Sequence, residues 1–400
     1  MGSALQGVRV LDLTNVLAGP FCAYQLALLG AEVIKVEVPI EGDLARQLGA
    51  DAELNTQRMG ASFLAQNAGK KSLTLNLKSS DGKAVLKRLV KSADVLVENF
   101  RPGVMERLGL SYAELAEANP GLIYCAISGF GQGGPMKAAP AYDQIIQGLS
   151  GMMSITGDEH TAPLRVGYPV ADTLAGMTAA FSISSALVRC QRTGEGAFID
   201  VSMLDCALAS MGWIVSNFLI AGVEPQPRGN NNFTASPSGT FQAQDGMLNI
   251  AANKQEQFVA LVGVLGLPEL ATDPRFAKRE ERKRNRAALT PLLEERLRRR
   301  PCAEWEAMFR KIGIPSGLVL TVPQALALPQ VQHRELLRQL DGAPGLGRPL
   351  TVTRCGFKLS GGDPDVDTPP PMLGEHSDEV LLAVGYSAAE IAGLRKRGVV

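Results

Sequence analysis

The chain has 400 residues, and its 40 lysines and arginines balance 40 aspartates and glutamates, so the formal net charge is zero. That length supplies two domains and a large buried core, while the charge balance argues against nucleic acid or an anionic membrane as a bulk partner. Six cysteines (Cys22, Cys125, Cys190, Cys206, Cys302, Cys355) lie far apart with no C-x-x-C, and the three histidines (His160, His333, His376) lack metal-ligand spacing. A disulfide framework and a metal centre are therefore not expected.

The opening MGSALQGVRV has no apolar run of the signal-peptide kind. The best apolar stretch, after residue 165, is broken by Asp172, Thr178 and further hydroxyl side chains, so no segment is expected to approach the roughly 20 residues of a membrane span. The expectation is a soluble, cytoplasmic protein, or an organellar one whose transit peptide is gone.

VRVLDL predicts a buried strand, TNVLAGP a loop, PFCAYQLALLG a helix with Pro20 in its first turn, and AEVIKVE a second strand. SLTLNL, DVLVENF and LIYCAISGFG continue as strands, separated by the helices SSDGKAVLKRLVKSA and SYAELAEANPG. Strands alternating with helices predict an α/β fold with a parallel sheet covered on both faces. The first strand-to-helix turn is NVLAGP, so the G-x-G-x-x-G dinucleotide fingerprint is absent. From Asp143 to Ala221 the chain reads as helical and apolar, interrupted near Asp172 and by GEGAFIDVSM, a further strand. GTFQAQDGMLNIAA predicts a hairpin turning at Asp245–Gly246, followed by charged helix to about Ile312. The run KREERKRNR reads as a solvated helix start, with a nucleotide-phosphate contact as the alternative. The proline-rich tail GFKLSGGDPDVDTPPPMLGEHSDEVL must drape over a surface.

Asp172, in RVGYPVADTLAGM, has no basic residue closer in sequence than Arg165 and Arg189. Its simplest role is a helix N-cap for the apolar run that follows. A carboxylate held ionised at a helix N-terminus can equally act as a nucleophile. Position leaves both open.

Seven segments in order, GVRVLDLTNVLAGPFCAYQLALLGAEVIKVEVPIEGD, NAGKKSLTLNLKSSDGK, ADVLVENFRPGVMERLGLSYAEL, NPGLIYCAISGFGQGGP, AYDQIIQGLSGMMSITG, PVADTLAGM and TGEGAFIDVSMLD, with PPPMLGEHSDEVLLAVGY near the end, resemble the class III CoA-transferases of the CaiB/BaiF type. The resemblance implies a Rossmann-like CoA-binding large domain built from 1–222 and 325–400, a small α+β domain at 223–324, and two chains interlocked as a homodimer. It implies acyl-CoA and a small carboxylic acid as substrates, with no permanently bound cofactor and no metal. The nucleophile it implies is Asp172. Positions matching CoA contacts are Val16, Leu17, Ala18, Leu75, Asn76, Leu77, Lys78, Asn99, Phe100, Arg101, Val104 and Arg107, and Tyr142 and Asp143 match pocket positions. Arg107 offers bidentate donors to a phosphate, and its plainer role is an ion pair with Glu106 or Glu114. Asn99 and Phe100 could equally be an ordinary strand end.

Formyl-CoA transferases carry glutamine where Leu17 stands, arginine where Val38 stands, and an all-glycine loop where NNNFTASPSG stands here. Formyl-CoA and oxalate are therefore not expected as substrates. A C4 to C6 dicarboxylate with succinyl-CoA as donor is. Two alternatives accompany this reading: an α-methylacyl-CoA racemase, whose second base would be a histidine at the Tyr142 position, and a non-catalytic acyl-CoA-binding protein.

Overall fold

The computed structural model describes residues 3–400, which divide into two compact units. One comprises the chain up to Met152 with Arg165–Gly222 and Gln332–Val400; the other comprises Met153–Leu164 and Val223–Val331.

The larger unit is built on six parallel strands, β1 (Arg9–Asp12), β2 (Glu32–Glu37), β3 (Lys70–Thr74), β4 (Val95–Glu98), β5 (Ile123–Ser128) and β6 (Ala197–Ser202). Their order is β3-β2-β1-β4-β5-β6. Each strand supplies both faces of the sheet in alternation. Val10, Val33, Val95 and Ile123 bury against the helices Ala18–Leu28 and Val170–Thr193, while Leu11, Ile34, Leu96 and Tyr124 bury against Ser80–Val90 and Ala388–Lys396. The order reverses between β1 and β4, where loops leaving the carboxyl ends of adjacent strands diverge and open a crevice.

Gly176 fixes how the two helices on the first face meet: a Cβ there would stand 2.5 Å from the carbonyl oxygen of Ala18. Only glycine permits that approach, which brings the first turn of Val170–Thr193 beside the loop after β1. This helix has 24 residues and is, contrary to the sequence expectation, long and apolar enough to cross a membrane by length and composition. Its hydroxyl side chains do not interrupt it, because they return to preceding backbone carbonyls, as Thr178 and Ser184 do to carbonyls four residues back.

The tail does drape: Asp365 donates to the Leu28 carbonyl, Thr368 accepts from Gly69, and His376 donates to Ser72. A two-stranded antiparallel pair, β10 (Leu337–Leu340) and β11 (Leu350–Thr353), was not read from the sequence.

In the second unit β7 (Ser238–Gln242) and β8 (Met247–Ala251) form the expected hairpin, with β9 (Ser316–Leu318) added antiparallel to β8. The run KREERKRNR is not simply a solvated helix start. Arg282 is buried against the Phe258 ring and donates to the Ser236 and Phe276 carbonyls, both at 2.9 Å. Arg279 donates to Thr234 O, and Arg286 to Asn232 O and Ala235 O. Three arginines, two on the helix Arg279–Arg284 and one opening the helix Arg286–Leu297, thus hold the backbone of the loop NNNFTASPSG.

Candidate active site

The crevice at the β1/β4 reversal contains two adjoining cavities. The smaller, about 250 Å3, is lined by Asn15, Val16, Leu17 and Ala18 after β1, by Asn99, Phe100 and Arg101 after β4, by Ser128, Lys137 and Tyr142, and by Asp172. The larger, about 600 Å3, takes in Val38, Ile40, Leu75, Asn76, Leu77, Lys78 and Val104. Asn15 and Phe100 border both, so the two form one groove along the carboxyl ends of the strands.

Asp172 is not the helix N-cap. Pro169 holds that position and Asp172 is the third residue of the helix. The capping is done from elsewhere in the chain: Asp143, at the start of the helix Asp143–Leu149, accepts from Ala171 N at 2.8 Å and more weakly from Asp172 N at 3.5 Å. Its other oxygen accepts from Gln147 Nε2 at 2.7 Å, and Gln147 in turn holds the Val166 amide. Asp143 is thus buried and spent on structure, and it does not line either cavity. The arrangement leaves the Asp172 carboxyl free. Among the described residues no donor reaches it, and it is not held ionised across the neutral range as a capping carboxylate would be: burial, assisted by the charge of Asp143, pushes it up to about 7.

Asn99 is more than a strand end. Its amide oxygen accepts from Asn15 N and its amide nitrogen donates to Asn15 O, both at 2.8 Å, tying the two diverging loops together. Phe100 N donates to Glu98, a buried glutamate pushed up to about 8 by burial and outside both cavities. Arg107 lines neither cavity; it is exposed, one turn beyond Val104, and among the described residues it pairs with neither Glu106 nor Glu114. Glu114 is occupied by the capping box of the next helix. Tyr142 lines the smaller cavity from an exposed position, and no histidine joins it there. Lys137, which sequence reading missed, brings a second cation to this cavity beside Arg101.

Residues 5–377 match the family model CoA-transferase family III. The chain belongs to that family. It is 43% identical over 87% of its length to an acetyl-CoA:oxalate CoA-transferase of Acetobacter aceti, covering 88% of that protein. It is 36% identical over 99% of its length to a succinyl-CoA:glutarate CoA-transferase of Mus musculus, covering 90% of it. A crystal structure of a CaiB/BaiF family protein from Brucella suis superposes with a TM-score of 0.84 at 36% identity, spanning 96% of this chain and all of that one. The fold and the enzyme class follow: this is a family III CoA-transferase, acting on acyl-CoA substrates.

Proposed function

We propose that this enzyme moves CoA from a short acyl-CoA, succinyl-CoA foremost, to a dicarboxylic acid acceptor, with Asp172 as nucleophile. The observation that carries the assignment of Asp172 is its carboxyl, unpaired and lining a cavity that is continuous with a second one of about 600 Å3.

The chemistry is acyl exchange. The Asp172 carboxylate adds to the thioester carbonyl and expels CoA thiolate, leaving a mixed anhydride between Asp172 and the acyl group. The thiolate, still held, adds to the aspartyl carbonyl, so that the donor acid departs and CoA is carried as an aspartyl thioester. An acceptor carboxylate then attacks this thioester and the steps run in reverse. Both intermediates are activated acyl groups, so neither ATP nor a metal is called for. The protein must hold the reacting carbons at near-attack distance and keep water out, because water would hydrolyse every intermediate. The peptides of Leu17 and Ala18, at the N-terminal end of the helix Ala18–Leu28, line this cavity and supply donors for the oxyanion.

Two features favour a dicarboxylate. Relatives named for glutarate and oxalate both act on acids with two carboxyl groups. The cavity also holds two cations, Arg101 and Lys137, beside its single carboxylate. Leu17 in place of glutamine argues against oxalate, whereas the 43% identity to an oxalate enzyme argues for it. Oxalate is therefore the discriminating acceptor. A mass-spectrometric screen of succinyl-CoA and acetyl-CoA against mono- and dicarboxylic acids tests the reading, and preference for monocarboxylic acceptors would reject it. Within that screen Lys137→Met is expected to raise the KM for glutarate roughly tenfold or more, as loss of a charged hydrogen bond does, while leaving the KM for butyrate and for acyl-CoA near wild type.

A homodimer belongs to the same proposal. Met177, Phe181 and Val188 form an exposed apolar stripe on the helix Val170–Thr193, and the helix Gly212–Ala221 has no buried residue although it carries Trp213, Phe218, Leu219 and Ile220. Apolar faces of this extent call for a partner, which a second copy of the chain supplies.

A further inference from the structure

The loop between β1 and the helix Ala18–Leu28 forms one wall of the Asp172 cavity, and its Thr14, Asn15 and Val16 peptides are each held by a side chain. Thr14 N donates to Asp12 Oδ1 at 3.0 Å, and Thr14 O accepts from Lys35 Nζ at 2.9 Å. Asn15 is clamped on both sides by Asn99. Val16 N donates to Asp43 Oδ1 at 2.9 Å. Val16 needs that hold, since it is a β-branched residue at φ 69°, a left-handed conformation in which its side chain crowds the backbone.

Asp43 is joined to the core by charge. Its Oδ2 lies 2.9 Å from Lys35 Nζ, which also stands 3.9 Å from Asp12, and Asp12 accepts from Lys70 Nζ at 2.9 Å. All four side chains are buried. Asp43 also caps the short helix Leu44–Gln47 through Ala45 N at 2.9 Å. A cap alone requires neither the ammonium on its second oxygen nor the Val16 amide on the first. Asp43 sits in the polar loop PIEGD and shows nothing in sequence to distinguish it.

We propose that Asp43, anchored by Lys35, is a positioning residue for CoA transfer: it holds Val16 in its left-handed conformation and so aims the Leu17 and Ala18 peptides at the carbon Asp172 attacks. The proposal rests on the transferase reading for its kinetic arm. Those peptides matter most when oxyanion charge develops, so the loss falls on kcat more than on KM.

The experiment compares succinyl-CoA to glutarate transfer and amide exchange at Val16 in Asp43→Ala, Asp43→Asn, Val16→Gly and Val16→Gly/Asp43→Ala. Asp43→Ala is expected to lower kcat at least tenfold with the acyl-CoA KM within threefold, and to speed Val16 exchange at least tenfold. Asp43→Asn keeps an acceptor oxygen and is expected to retain kcat within about threefold while melting at lower temperature. Glycine adopts positive φ without a clamp, so Asp43→Ala should cost little in the Val16→Gly background. If Asp43→Ala leaves an unpaired ammonium and fails to fold, Lys35→Met/Asp43→Ala removes both charges and should show the same kcat loss. Wild-type kcat in a folded Asp43→Ala or Lys35→Met/Asp43→Ala variant, an equal penalty in the Val16→Gly background, or unchanged Val16 exchange would each overturn the proposal. The exchange arm reads the clamp without turnover, so failure of the chosen substrates to react counts against the function reading alone.

Discussion

Asp172→Asn is expected to abolish transfer, by roughly 10^3-fold or more, and at the same time to make the protein more stable at pH 8. The two effects separate a nucleophile from a cap. Losing a capping aspartate costs about 1 kcal/mol. Asp172 caps nothing, and its ionisation in the folded protein is opposed by burial and by Asp143. Its carboxyl titrates near 7 when folded and near 3.8 when unfolded, so between those values the folded state binds the extra proton and stability falls as pH rises. Above pH 7 the full penalty is present, on the order of 3 kcal/mol, and asparagine removes it. The melting temperature of Asp172→Asn should exceed that of wild type by several degrees at pH 8 and match it near pH 4. A variant that is inactive and less stable at pH 8 would return Asp172 to a structural role. In the wild-type enzyme, hydroxylamine added during turnover should leave a hydroxamate in the tryptic peptide from Val166 to Arg189, and the asparagine variant should show none.

The sheet was legible because each strand of it is a short apolar run between helices of amphipathic pattern, and six such runs leave few ways to arrange a covered parallel sheet. The position of the groove then followed from family likeness, which named Val16 to Ala18 and Asn99 to Arg101; the topology places both segments at the β1/β4 reversal. What stayed hidden were interactions that cross the chain at long separation. Nothing near Asp172 in sequence announces that Asp143, 29 residues earlier, caps its helix. Lys35 and Lys70 were singled out by nothing in the sequence pattern, yet both lie buried in strands of a sheet covered on each face, where a lysine must find a carboxylate. That rule was available as a signal: a lysine inside a central parallel strand predicts a buried acid, here Asp12 and Asp43. Lys137 carried no signal, since it stands in an exposed glycine-rich loop and acquires meaning only from the cavity it borders.

The pH dependence of transfer follows from the same carboxyl. Only the ionised form of Asp172 can attack a thioester, and burial with the neighbouring Asp143 charge lifts its pKa to about 7. The expected kcat/KM for acyl-CoA therefore rises tenfold per pH unit up to about 7 and levels off above it, leaving about one hundredth of the plateau at pH 5. A cap-like carboxylate near its ordinary value would instead give a flat profile from pH 5 upward. Glu98 is another buried acid near the groove whose pKa is raised, and it remains neutral until about pH 8, so its ionisation cannot produce a rise below 7. Glu98→Gln should keep the midpoint of the limb where it is. Asp143→Asn removes the neighbouring charge while keeping an acceptor for the Ala171 amide, and it should move the midpoint down, because less repulsion opposes ionisation of Asp172. A limb that shifts with Glu98 but not with Asp143 would assign the titration to another group and with it remove the strongest physical link between this cavity and the attacking carboxylate.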